Sequence, residues 1–146
     1  MNITCNHCLA TNRIPDDKDA RQANCGKCKQ PILAGKVINL SAQQFYPVVE
    51  RNDVPVIVDF WASWCGPCQQ MAPIFEQVAS ETDTMLFGKL NTEAASEISA
   101  DANIRSIPTI IFFFRGQEVD RISGLLNQMQ LKQWIMQCVQ KLSESN

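Results

Sequence analysis

Residues 54–68 read VPVIVDFWASWCGPC. Val54–Ala62 is a near-continuous apolar run, the pattern of a central strand covered on both faces. Met71, Ile74, Phe75 and Val78 then fall at helical spacing, with a kink expected at Pro73. Trp64-Cys65-Gly66-Pro67-Cys68 therefore sits at a strand-to-helix junction. Cys65 falls at the helix N-terminus, where free N–H groups and the macrodipole favour a thiolate. A Cys thiol titrates near ~8.5 when unperturbed, and such positions bring it into a ~3.5–7.5 range. The thiolate is the form that attacks a disulfide. Cys68, three residues before Met71, shares the buried helix face. One sulfur is thus expected to be accessible and the other sheltered, as suits a nucleophile and a resolving thiol. The two intervening residues let the pair close a small ring, which Pro67 stiffens. The competing reading of this pair is half of a metal site.

Asp59 lies inside the apolar run, where a carboxylate is costly to bury and its pKa is expected to rise. It stands six residues before Cys65. A buried acid titrating near neutrality can take the proton from Cys68 as that thiol turns nucleophile. The alternative is an Asp at a strand end with access to solvent.

Working outward, Val37–Leu40 reads as a short strand, and Ser41-Ala-Gln-Gln44 resembles a capping box opening a helix that contains Pro47. Met85–Leu90 reads as a strand, and Thr92-Glu93 as the start of a helix to about Ala102. Thr109–Phe114 and Gln117–Ile122, around Arg115-Gly116, read as a hairpin. Leu131, Trp134, Ile135, Cys138, Val139 and Leu142 form one apolar helical stripe, in which Cys138 is expected to be core packing. The order β-α-β-α-β-α-β-β-α implies an α/β fold, a mixed sheet with helices on both faces.

The 146 residues are 45% apolar and 19% charged, which is ordinary globular composition. A chain of this size buries roughly 70% of its unfolded surface and needs no disulfide staples. The longest stretch free of Asp, Glu, Lys and Arg, Phe60–Phe75, holds two Gln and two Pro, so no membrane span is expected. MNITCNHC has no apolar segment of signal-peptide type, so the cytoplasm is the expected compartment. The net charge of −2 argues against strong nonspecific binding to nucleic acid or acidic membranes.

The first forty residues differ from the rest. They carry six Lys/Arg against three Asp, a net of +3, and few large apolar side chains. Pro15–Asn24 reads as a loop and Lys29–Lys36 as a connector, which puts a boundary between residues 1–36 and 37–146. Cys5-x2-Cys8 and Cys25-x2-Cys28 are separated by 16 residues, the spacing of a four-cysteine zinc site. Each pair would form a knuckle whose N–H groups point at the sulfurs. Four thiolates fill a tetrahedral Zn²⁺ shell and leave no open position, so one structural ion per chain is expected. Binding could supply ~10–16 kcal/mol to fold a segment with little core, and the remainder is expected to keep its fold without it. An iron site of rubredoxin type or two disulfides are the rivals. His7 is expected to be a loop residue rather than a ligand.

FWASWCGPC resembles the thioredoxin signature, and the likeness runs through residues 37–142. Pro73 looks like that family's kink in the active-site helix, and Lys89 in GKLNTE like its lysine near the buried acid. Ile107-Pro108-Thr109 is similar to its cis-proline loop facing the disulfide, and Gly116 and Gly124 to its hairpin and late glycines. The resemblance implies a thioredoxin fold of four helices and five strands and a general disulfide reductase. Its partners would be disulfide-containing proteins and a flavoprotein thioredoxin reductase that restores the dithiol with NADPH. It places Trp64 beside the attacking sulfur, on a docking surface with Gly66 and Pro67. It also has Ile107 and Pro108 shape a groove in which the backbone of Ile107 pairs with substrate. Gln69 departs from the Lys or Arg of many members. CNHC, NRIPDD, CGKC and IRSIPT resemble the zinc-containing thioredoxin 2 group, which implies a small zinc ribbon ahead of the thioredoxin fold. A different reading is a partner- or nucleic-acid-binding ribbon on a thioredoxin scaffold. With Zn²⁺ bound the segment carries only about +1, and Met1–Leu40 holds no aromatic residue for base stacking.

Overall fold

A computed structural model describes residues 1–32 and 35–144. Leu33 and Ala34 of the expected connector lie outside the described residues. The chain opens with an antiparallel pair, β1 (Asn2–Thr4) and β2 (Thr11–Arg13), followed by a short 3-10 turn at Ala20–Gln22. The elements after it are β3 (Val37–Asn39), α1 (Ala42–Glu50), β4 (Val56–Trp61), α2 (Gly66–Ser80), β5 (Leu86–Asn91) and α3 (Ser96–Asp101). They end with β6 (Thr109–Phe114), β7 (Gln117–Ser123) and α4 (Gln128–Glu144). The five-stranded sheet has the order β3-β5-β4-β6-β7. β3, β5 and β4 are parallel, while β6 and β7 add antiparallel strands, so the sheet is mixed as the pattern implied.

Local chemistry sets the element ends. Ser41 caps α1, its hydroxyl accepting the Gln44 N–H while Ser41 N–H donates to Gln44 Oε1, and the helix continues past Pro47 to Glu50. α2 likewise runs through Pro73. α3 begins at Ser96, not at Thr92-Glu93 as the sequence pattern predicted. Asn91 Oδ1 accepts the N–H groups of Glu93 (2.9 Å) and Ala94 (3.4 Å), and Thr92 N–H donates to Trp61 O (2.8 Å). Asn91 thus caps a turn of N-cap type whose first N–H is tied back to β4, and the regular helix begins only after that turn. At the β6–β7 hairpin, Arg115 and Gly116 both have positive φ (50° and 83°), as a tight two-residue connection requires.

β4 is the centre of the sheet and alternates between two cores. Val56, Val58 and Phe60 pack with Phe45, Val48 and Val49 of α1 and Ile98 of α3. Ile57 packs with Met71, Phe75 and Val78 of α2 and with Leu131, Trp134 and Cys138 of α4. Cys138 is fully buried there, as core packing.

The N-terminal segment shares the first of these cores. Ile3, Ile14 and Ile32 are buried in one cluster with Leu40, Val48, Val49 and Val54. Backbone and side chains fasten it as well. Thr4 N–H donates to Asn52 Oδ1 (2.8 Å), Thr4 Oγ1 to Arg51 O (3.0 Å), and Asp53 N–H to Asn2 O (2.8 Å). Asn52 is itself buried, and its amide donates to Val48 O. The expectation of two independently folded parts thus meets a continuous apolar contact. The sequence showed few large apolar residues before Val37, but those present point into the neighbouring α/β layer.

A shared core has a measurable consequence. Ile3→Ala is expected to destabilise the whole chain by about 2–5 kcal/mol, the usual range for a buried Ile. Urea unfolding followed by tryptophan fluorescence reports this, because Trp61, Trp64 and Trp134 all lie beyond the N-terminal segment. An unchanged midpoint would mean that the two parts fold separately.

Candidate active site and metal centre

Cys65 is the N-cap of α2, and its Sγ accepts the Cys68 N–H at 3.2 Å. A sulfur so placed takes a helix-terminal donor and the positive end of the helix dipole, both of which favour the thiolate. Cys65 and Cys68 are joined as a disulfide, with Cα atoms 5.2 Å apart. Gly66 and Pro67 form the first two positions of the helix. The expected contrast between an accessible and a sheltered sulfur is not found in this oxidised state, since Cys65 is 4% and Cys68 3% exposed. Ala62, Trp61 and Ile107 pack around both. Trp64, by contrast, is 72% exposed beside them.

The loop before β6 closes over the disulfide. Ile107 O lies 3.8 Å from Cys65 Sγ, and the Ile107–Pro108 bond is cis, as the resemblance implied. Gly124, with φ of 97°, turns the chain so that its N–H donates to Pro108 O at 2.9 Å. Thr109 Oγ1 bonds Ser106 O (2.6 Å) and Ser123 Oγ (2.8 Å), tying the loop to β7.

Asp59 is 3% exposed on the α2 side of β4, and its Oδ1 is buried without a hydrogen-bond partner. Burial pushes its pKa from 3.8 up to about 7, against the opposing pull of Lys89. Lys89 is its partner across the β4–β5 ladder, with Nζ 5.4 Å from the centre of the Trp61 ring. The solvent-accessible alternative for Asp59 is thereby removed. Sequence reasoning passed over Ser63 and Glu93. Glu93 Oε1 accepts both Ser63 N–H (3.1 Å) and Ser63 Oγ–H (2.8 Å), pinning the chain two residues before Cys65.

The sulfurs of Cys5, Cys8, Cys25 and Cys28 lie within 4.8 Å of one another. Cys5···Cys28 and Cys8···Cys25 are both 3.6 Å. Four thiolates on a tetrahedron with ~2.3 Å bonds have edges of ~3.8 Å, so the quartet has the size of a metal shell. The two pairs are built alike. Cys5 N–H donates to Ala10 O and Leu9 N–H to Cys5 O, while Cys25 N–H donates to Gln30 O and Lys29 N–H to Cys25 O. Leu9 and Lys29 both have positive φ (64° and 71°). The N–H groups of His7 and Lys27 each point at the first sulfur of their pair, at 3.4 Å. His7 offers only this backbone group, and its residue is exposed. Backbone donation from Cys28, then the Asn12 amide, lowers the Cys25 pKa to about 5, whereas burial pushes Cys5 up to about 12. In the sequence Asn12 stands within NRIPDD, seven residues after Cys5. Its signal was a short amide in a strand, where such residues are poorly suited.

Residues 36–137 match the model of the family Thioredoxin. The chain belongs to the thioredoxin family. Residues 4–30 match a second family described as Thioredoxin 2, N-terminal, which is a zinc-ribbon family. Thioredoxin C-3 of Corynebacterium nephridii is 45% identical over 141 residues, covering 97% of each chain. A bifunctional thioredoxin reductase/thioredoxin of Mycobacterium leprae is 42% identical over 92 residues, which are 62% of this chain and 20% of that protein. The crystal structure of Malassezia sympodialis thioredoxin superposes with a TM-score of 0.65 at 36% identity, covering 70% of this chain and 90% of that one. This thioredoxin is a protein disulfide reductase with an N-terminal metal-binding cysteine cluster. No helix among the described residues is long and apolar enough to cross a membrane.

The raised pKa of Asp59 fixes a pH dependence in this thioredoxin. A carboxyl that titrates near 7 when folded and near ~3.9 when unfolded costs nothing below pH ~4. The cost grows as pH rises from ~4 to ~7 and is constant above, at about 4 kcal/mol by 1.36 kcal/mol per unit. Asp59→Asn removes it. The variant is expected to be more stable than the parent at pH 8 and to lose that advantage at pH 4. Denaturant midpoints at the two pH values check this, and a variant destabilised at pH 8 contradicts a desolvated carboxylate.

Proposed function

We propose that Cys65 is the attacking sulfur of this disulfide reductase and Cys68 the resolving one. The observation that carries this is the N-cap position of Cys65, with the Cys68 N–H on its sulfur at 3.2 Å. In the reduced protein the Cys65 thiolate attacks one sulfur of a substrate disulfide. That bond breaks, the first substrate thiolate leaves and is protonated, and a Cys65–substrate mixed disulfide forms. Cys68 gives its proton to the Asp59 carboxylate and attacks Cys65 Sγ. The mixed disulfide breaks, the second substrate thiolate leaves, and Cys65 and Cys68 are joined. Two electrons have passed to the substrate. Asp59 suits the second step because its pKa of about 7 lets it accept a proton near neutral pH.

The remaining site residues support the encounter. Trp64 offers an exposed aromatic face beside the sulfurs, and Gly66 leaves open space where a Cβ would stand. Pro67 stiffens the ring. Ile107 and Pro108, held by Gly124, form the wall along which an extended substrate chain lies. Lys89 limits the rise of the Asp59 pKa. The substrates are disulfide-containing proteins, and a thioredoxin reductase drawing on NADPH returns the two electrons. A reducing compartment such as the cytoplasm is where such a donor operates and where the cysteine quartet stays reduced. Zn²⁺, one per chain, is the ion assigned to Cys5, Cys8, Cys25 and Cys28, since a closed four-thiolate shell suits it and offers no catalytic position. Its chemistry when bound is structural, a bond between chain segments. The division at residue 36 separates this metal-binding segment from the catalytic one.

Trapping with insulin as substrate tests the sulfur roles. Cys68→Ser is expected to accumulate mixed disulfides through Cys65, and Cys65→Ser is not. Equal or better trapping by Cys65→Ser would reverse the assignment. Asp59→Asn is expected to slow release of the mixed disulfide near neutral pH while leaving its formation intact, read by quenched-flow and mass spectrometry.

A further inference from the structure

The two cysteine pairs share one hydrogen-bond pattern, but the residues that follow them do not. Seven positions after Cys5 stands Asn12, and seven positions after Cys25 stands Ile32. Ile32 is buried apolar filling. The local fold of a pair therefore needs no amide at this position. Asn12 sits in β2 opposite Ile3, in a strand, where Asn is disfavoured. All of its polar atoms are nevertheless engaged. Nδ2 donates to Ala10 O at 3.3 Å and to Cys25 Sγ at 3.4 Å, while Oδ1 accepts the Gly26 N–H at 2.8 Å. The amide orientation is dictated by these partners, because a flipped group would set oxygen against Ala10 O and NH2 against the Gly26 N–H. Asn12 thus leaves the first pair's hairpin and grips the second pair at both a sulfur and a backbone donor.

We propose that Asn12 is the positioning residue of the metal centre, fastening Cys25 and Gly26 to the first cysteine pair and stabilising the Cys25 thiolate as a ligand. The proposal rests on the metal reading given above. Each knuckle already directs its own backbone N–H groups at its sulfurs. Beside the sulfur–sulfur contacts, the Asn12 amide spans both pairs, from Ala10 O in the first to Cys25 Sγ and Gly26 N–H in the second. A metal must draw together two segments separated by 16 residues, and a preformed link lowers the ordering that binding has to impose. Donation to the sulfur also lowers the energy of its lone pairs, which a bound transition metal senses directly.

The test uses the full chain with Zn²⁺ and Co²⁺ as probes. Zn²⁺ affinity is measured by competition with a chromogenic chelator, and the Co²⁺ form by its thiolate-to-metal charge-transfer band. Asn12→Leu keeps volume and strand character but no polar atom, and Asn12→Asp keeps the acceptor for Gly26 but not the donor to sulfur. Both are expected to weaken Zn²⁺ binding, Asn12→Leu by about 10–100-fold, and to move the Co²⁺ band to lower energy. A role in packing alone would leave Asn12→Leu with the parent's affinity and band. Both variants within twofold of the parent, with an unmoved band, would overturn the proposal and leave the Zn²⁺ reading standing. Loss in Asn12→Leu with parental behaviour in Asn12→Asp would confine the effect to Gly26 and overturn the donor to Cys25. A parent chain that takes up no Zn²⁺ would overturn both readings.

Discussion

Strand β4 has no wet face, and the chemistry of the molecule follows from that constraint. Each of Val56–Phe60 is buried, with alternate side chains committed to opposite helical layers. The alternation sends Asp59 to the α2 side, where its charge is desolvated and its carboxyl drifts toward neutrality. The same strand delivers the chain to the N-terminus of α2, so Cys65 becomes a cap instead of an interior helix residue. A strand with one solvated face would give Asp59 water and an ordinary pKa. It would then be a poor acceptor for a thiol proton near pH 7.

Around that strand, the elements legible in the sequence were those whose apolar period is long enough to read. The β-α order after Val37, the central run at Val54–Ala62 and the final stripe from Leu131 all carry several turns or residues of pattern. The capping box at Ser41 was legible because both of its partners are local, whereas a start set by a contact to another strand was not. α3 starts at Ser96 instead of Thr92, after a turn that Asn91 caps and that the Thr92 N–H ties to Trp61 O. β1 (NIT) and β2 (TNR) hold one apolar residue between them, so no strand pattern shows.

The site divides in the same way. The helix-start position of Cys65 and Cys68 and the burial of Asp59 followed from the apolar pattern, and the clustering of Cys5, Cys8, Cys25 and Cys28 from spacing. The cis bond before Pro108 and the placement of Lys89 opposite Asp59 came through the family resemblance, since no local pattern encodes either. The contrast in sulfur exposure failed because Trp61 and Ile107, distant in sequence, pack around both sulfurs. Ser63–Glu93 and Asn12 were invisible for a related reason, as each is a polar residue whose partner lies in another segment.

The N-terminal segment is held by two kinds of force acting at different places. Its cysteine pairs are of a size to be closed by a metal, and its isoleucines are closed by the core of the neighbouring domain. The anchoring bonds to Arg51, Asn52 and Asp53 precede β4, whereas Cys65 and Cys68 follow it. Six strand residues, roughly 20 Å at ~3.3 Å each, separate these anchors from the disulfide end. A metal held by the quartet would stabilise the fold that carries the disulfide, through the core the two segments share. Whatever binds only the folded state stabilises everything folded with it, so the shared core is the route by which a ligand of the N-terminal segment would bear on the stability of the α/β layer.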